Sequence, residues 1–67
     1  MGIIVNGESL ELNQRIETVE DLLGHLQLKK KSLIVEHNQT ILKMEQHDKA
    51  KVTEGDRFEI VHFVGGG

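Results

Sequence analysis

Arg57-Phe58-Glu59-Ile60-Val61-His62-Phe63-Val64 runs for eight residues without glycine or proline and then gives way to Gly65-Gly66-Gly67. Its β-branched and aromatic residues read as a strand, the last of the chain. Alternation along a strand puts Phe58, Ile60 and Val64 on one face and Val61 and Phe63 on the other. One face has to meet a covering element, so the other is left partly apolar. For both Phe residues core packing is the expected role. The second face becomes a docking patch beside the tail if no loop covers it. His62 shares parity with Phe58 and Ile60 and is expected at the sheet edge.

Working back along the chain, Glu54-Gly55-Asp56 is a turn. Lys51-Val52 reads as a further edge segment, and residues 43 to 49 as irregular chain or one helical turn. Thr40-Ile41-Leu42 is a short strand, Asn38-Gln39 turns the chain, and Leu33-Ile34-Val35 is a compact apolar run that fits a central buried strand. Lys29-Lys30-Lys31 sits where it favours the negative end of a preceding helix and is expected to be solvated. That helix is predicted from Val19 to Leu26. Thr18 offers a capping hydroxyl, Glu20 and Asp21 suit the positive first turn, and Val19, Leu22, Leu23 and Leu26 recur at helical spacing. Gly24 weakens its interior by up to about 1 kcal/mol relative to alanine, so the helix depends on packing against a sheet. Ile3-Ile4-Val5, the turn dipeptide Asn6-Gly7, and Leu10 and Leu12 alternating with polar residues predict an N-terminal hairpin.

A hairpin, a helix and then further strands make an α+β order. The β-grasp architecture fits it: a mixed sheet of four or five strands, one main helix on one face and a C-terminal glycine tail. The domain is expected over residues 1–64 and a flexible tail over residues 65–67.

At 67 residues a chain buries only about 60% of the surface it exposes when unfolded, which leaves little room for a deep catalytic cleft. With no Cys, neither a disulfide framework nor a Cys-based zinc site is available. Lys and Arg number 8 against 11 Asp and Glu, a formal charge of −3, which argues against binding nucleic acid and suits a basic protein partner. Apolar runs are too short to span a membrane. The N-terminus has no basic region followed by a long apolar stretch, so a cytoplasmic location is expected.

Chemistry-bearing side chains do not assemble into a pattern. The four histidines, His25, His37, His47 and His62, are ten or more residues apart, and none pairs at the helical spacing of zinc enzymes. No Ser, Thr or Lys stands in a nucleophile signature, and Glu20 with Asp21 and Glu54 with Asp56 are explained by a helix start and a turn. Neither a catalytic side chain nor a metal site is expected. The glycines at 65–67 follow a strand, open no helix and carry no Lys, so they are not a phosphate loop. Glycine lacks a Cβ and tolerates extended and left-handed backbone alike, so such a tail can thread a channel too narrow for other residues. What it carries inward is the Gly67 carboxylate.

Asn6-Gly7 in the first hairpin, Thr18-Val19-Glu20-Asp21-Leu22-Leu23 at the helix start, Val35-Glu36-His37-Asn38 and the block from Gly55 to Gly67 together resemble the ThiS family of sulfur carriers in thiamin biosynthesis. The resemblance spans essentially the whole chain. It departs at Lys43-Met44, where such proteins often carry a Pro-Arg pair. The resemblance implies that the Gly67 carboxylate is adenylated by a ThiF-like enzyme using ATP and Mg²⁺, and is then converted to a thiocarboxylate. A cysteine desulfurase would be the sulfur source, and thiazole synthase (ThiG) would receive the sulfur. Gly65, Gly66 and Gly67 would thread the partner's active site, Val61, Phe63 and Val64 would dock, and the chain would be a substrate of its partners, binding no cofactor itself. Three other readings share the pattern: a small subunit of molybdopterin synthase, a ubiquitin-like modifier conjugated to lysine, and a β-grasp binding module.

Overall fold

Asn6 and Gly7 carry φ of 50° and 83° in the computed structural model, the left-handed pair that closes a two-residue hairpin. The structure describes residues 1–13, 15–28 and 32–62. The turn joins strand β1 (Gly2–Val5) to β2 (Glu8–Glu11), with Ile3 opposite Leu10 and Val5 opposite Glu8. The helix α1 spans Val19–His25. Then come β3 (Leu33–His37), β4 (Thr40–Leu42), a single 3-10 turn (Met44–Gln46) and β5 (Arg57–His62). Among the described residues the five strands form one sheet in the order β2-β1-β5-β3-β4. The β1–β5 pair is parallel and the others are antiparallel.

Both ends of α1 are closed by local chemistry. Thr18 Oγ1 accepts from the Asp21 N–H at 3.2 Å while Asp21 Oδ2 accepts from the N–H groups of Thr18 and Glu17 at 3.1 Å, a capping box that satisfies donors the helix cannot. At the other end the Leu28 N–H donates to Leu23 O at 2.8 Å and the Gln27 N–H to Gly24 O at 3.1 Å. That pairing is a Schellman motif, with Gln27 at φ 63° in the position glycine usually takes.

The helix lays Val19, Leu22 and Leu23 on one face of the sheet, where Ile3, Val35, Phe58 and Ile60 meet them. Leu12 and Ile16 before the helix and Val52 before β5 close the rim of this core. The parity expected for the last strand holds over the described residues: Phe58 and Ile60 are buried and Val61 is exposed. His62, at the end of β5, is exposed.

Two expectations need adjustment. The run Leu33-Ile34-Val35 is not uniformly buried, because α1 covers only one side of the sheet: Val35 is sealed while Ile34 is 43% exposed. β3 is interior as expected, between β5 and β4, and β5 is the middle strand of the five. Lys51-Val52 adds no strand to the sheet. Lys51 makes one antiparallel bridge to Thr18, and hydrogen bonds from Val19 to Ala50, from Glu20 to His47 and from Val52 to Glu17 lay this stretch along the entry to the helix. The expected end of the last strand at Phe63 and Val64, the tail at 65–67 and the loop Lys29-Lys30-Lys31 lie outside the described residues.

Candidate functional site

The central strand β5 leads to the residues expected to carry function, and the fold grips it from both sides. On the β1 side the backbone ladder ends at Val5, opposite Phe58. Asn6 extends it: its N–H donates to Phe58 O at 2.8 Å, its Nδ2 donates to Ile60 O at 3.1 Å and its Oδ1 accepts from the Ile60 N–H at 2.7 Å. The side-chain amide thereby does the work of one more peptide group. On the β3 side Asn38, at φ 49°, repeats the device. Its N–H donates to Arg57 O at 2.8 Å and its Oδ1 accepts from the Arg57 N–H at 2.9 Å. Asparagine tolerates the left-handed region and carries both an acceptor and donors, which is what each position requires.

Asp56 anchors the start of the same strand. It is 7% exposed and accepts four hydrogen bonds: from the Thr53 N–H (2.8 Å), Thr53 Oγ1 (2.9 Å), Asn38 Nδ2 (3.1 Å) and the His37 ring Nε2 (2.8 Å). Burial alone would push its carboxyl up. The Thr53 backbone N–H, with His37, Asn38 and the Thr53 hydroxyl, outweighs burial and holds it at about 2. His37 in turn stacks on Phe58, with ring centroids 4.5 Å apart and planes within 5°. Polar clasp and apolar core thus share one wall.

The sheet face away from α1 is open. Register places Ile34 beside Val61, Glu36 beside Glu59 and Ile41 beside Glu36, with Arg57 and Ile4 adjacent at the β5–β1 pairing. Ile34, Val61 and Ile41 are 43%, 56% and 64% exposed, and Met44 just past β4 is 74% exposed. An apolar corner of this kind, rimmed by charge and next to the end of β5, has the composition of a protein-docking surface. Of the expected docking residues Val61 lies on it, whereas Phe63, Val64 and the threading residues Gly65, Gly66 and Gly67 lie outside the described residues. Ile34 and Ile41 were not anticipated. Their exposure is set by register across three strands, a signal that no single segment contains.

The histidines stay apart: His25 ends the helix, His37 binds Asp56, His47 keeps its Nε2 buried and without a hydrogen bond among the described residues, and His62 is at the end of β5. No group of three or more metal-ligating side chains forms among the described residues. No described helix is long and apolar enough to cross a membrane.

Comparison with known proteins agrees with this architecture. The family model of the ThiS family matches residues 3–67. The sulfur carrier protein ThiS of Bacillus subtilis is 40% identical over 63 residues, covering 94% of this chain and 96% of that protein. A thiazole synthase of Paramagnetospirillum magneticum is 37% identical over 67 residues, all of this chain but only 20% of that larger protein. The crystal structure of the thiamine biosynthesis protein ThiS from Geobacter metallireducens superposes with a TM-score of 0.84 at 32% identity, covering all of both chains. A solution structure of a thiamine biosynthesis protein from the same organism gives 0.82 at 32% identity, covering all of this chain and 88% of that one.

Proposed function

The chain belongs to the ThiS family of sulfur carrier proteins of thiamin biosynthesis, and from that membership we propose that its working group is the Gly67 carboxylate. A carboxylate is a poor electrophile. Reaction with ATP, with Mg²⁺ on the phosphates, converts it to an acyl-adenylate and releases pyrophosphate. A persulfide then displaces AMP to give an acyl disulfide, and a thiol reductant cleaves its S–S bond, becoming part of a disulfide itself, to leave a thiocarboxylate. A ThiF-like enzyme would catalyse the activation, a cysteine desulfurase would supply the sulfur, and thiazole synthase would receive it. The match to a fifth of a thiazole synthase chain supports that recipient. Every catalytic group belongs to the partners, so the chain is a co-substrate and not an enzyme.

The globular part acts as a handle. Partners would dock on Val61 of the open face and on Phe63 and Val64, while Gly65, Gly66 and Gly67 enter a narrow active site that side chains would block. The observation that carries this reading is the family match running through residue 67, together with a strand held on both sides just before that segment. The thiamin branch, in preference to molybdopterin synthesis, rests on the B. subtilis carrier.

Intact mass spectrometry tests the chemistry directly. Incubation with the activating enzyme, ATP and Mg²⁺, a cysteine desulfurase, cysteine and a thiol reductant is expected to add about 16 Da, the replacement of one oxygen by sulfur. Deleting Gly67 is expected to abolish that shift and thiazole formation while leaving the melting curve unchanged. A truncated chain that still takes up sulfur would overturn the assignment.

A further inference from the structure

Two carboxylates occupy the middle of the open face. Glu36 and Glu59 are direct cross-strand partners, with the Ile34–Val61 pair one step along the same face and Ile41 on the far side of Glu36. Directly opposed side chains on a sheet have Cβ atoms about 4.5–5.5 Å apart, and like charges there destabilise the pairing. Among the described residues no ion pair relieves this. Among the described residues the ion pairs are Met1–Glu11 and His37–Asp56, so Arg57, on the same face, leaves both glutamates unneutralised.

We propose that this pair receives a cationic side chain, arginine or lysine, presented by the surface of thiazole synthase. The inference rests on the open face being the docking surface. Two neighbouring carboxylates offer several acceptor sites at a spacing that a guanidinium fork or an ammonium can bridge. The flanking Ile34, Val61 and Ile41 exclude water once covered, which strengthens the attraction over its value on a bare surface. A second copy of this chain fits badly, because two such faces opposed bring four carboxylates together against two Arg57 side chains. The formal charge of −3 favours a basic partner in the same sense. The synthase is the occupant because a thiazole synthase polypeptide includes a segment similar to this entire chain.

The test is a binding titration of the full-length carrier against the synthase from the same source, repeated over a range of salt concentrations. The double variant Glu36→Gln with Glu59→Gln is expected to weaken binding about tenfold or more at low salt and to flatten the salt dependence. Its melting temperature is expected to be unchanged or raised, because a like-charge pair has been removed; a merely structural role would lower stability and binding together. Wild-type affinity and salt dependence in the double variant would overturn the proposal. Ile34→Ser separates the layers. If it alone weakens binding, the face still docks and only the cation site is wrong; if neither variant changes affinity, the docking surface itself is misplaced. Loss of binding confined to the activating enzyme, or a wild-type dimer closed by this face in sedimentation, would also overturn it.

Discussion

Replacing Asp56 with asparagine isolates the polar clasp that fixes the start of β5. Asp56 is buried and accepts from the Thr53 N–H and hydroxyl, Asn38 and His37, and its carboxyl is held at about 2 against an ordinary 3.8. At about 1.4 kcal/mol per pH unit, that displacement corresponds to roughly 2–3 kcal/mol of folding stability. Because the folded value lies below the unfolded one, the contribution is fully present above about pH 4. It is lost as pH falls through the interval toward 2, where the folded carboxyl also takes up its proton. Asp56→Asn is nearly isosteric but neutral and exchanges an acceptor for a donor, so it is expected to lose about 2–3 kcal/mol at pH 7. Urea unfolding monitored by far-ultraviolet circular dichroism, at intervals from pH 7 to pH 2, measures both quantities. Wild type should weaken steeply between pH 4 and 2, and the variant should lose that part of the slope. Parallel curves for the two proteins over this interval would refute the assignment of the clasp.

Gly24 lies in α1 with open space where a Cβ would stand, so Gly24→Ala is expected to raise unfolding stability by up to about 1 kcal/mol in the same assay. Asn6→Ala strands the N–H and C=O of Ile60 in a buried setting and is expected to cost about 1–3 kcal/mol, with faster amide hydrogen exchange at Ile60 as the local signature. Val61 is 56% exposed, so Val61→Asp is expected to leave the unfolding midpoint within about 0.5 kcal/mol of wild type while lowering kcat/KM for adenylation of the carrier, read by pyrophosphate exchange.

What was legible in the sequence was local. Asn6-Gly7 specified its turn through left-handed backbone, Thr18 with Asp21 specified a helix start, and parity put Phe58 and Ile60 on one face of β5 and Val61 on the other, without saying which face meets α1. Pairings between distant residues were not legible. Glu54-Gly55-Asp56 was readable as a turn, but the partners that make Asp56 a clasp include His37 and Asn38, 19 and 18 residues away. Gln27 and Gln39 adopt φ of 63° and 72°, conformations that composition assigns to glycine or asparagine; here the first closes the Schellman motif of α1 and the second the turn between β3 and β4. The apolar run at 33–35 concealed the exposure of Ile34 because a β-branched residue fits either face of a sheet; only its pairing with Val61 decides the matter. For the candidate site, the last strand was recognisable as far as His62, and Val61 lies on the exposed face of it. The glutamate pair and the two isoleucines of the open face depended on register.

The strand order also governs when the molecule can exist at all. Without β5 the sheet falls into two hairpins, β1 with β2 and β3 with β4, which share no strand pairing. A chain emerging from the ribosome therefore has to wait for its last strand before the sheet can close, with the slow, non-local search that parallel pairing of first and last strands entails. A product cut short within β5 would lack the keystone and the lead-in to residues 63–67 together. Quality control by folding then doubles as quality control for the proposed chemistry: whatever passes as a folded handle also contains the strand that precedes residues 63–67.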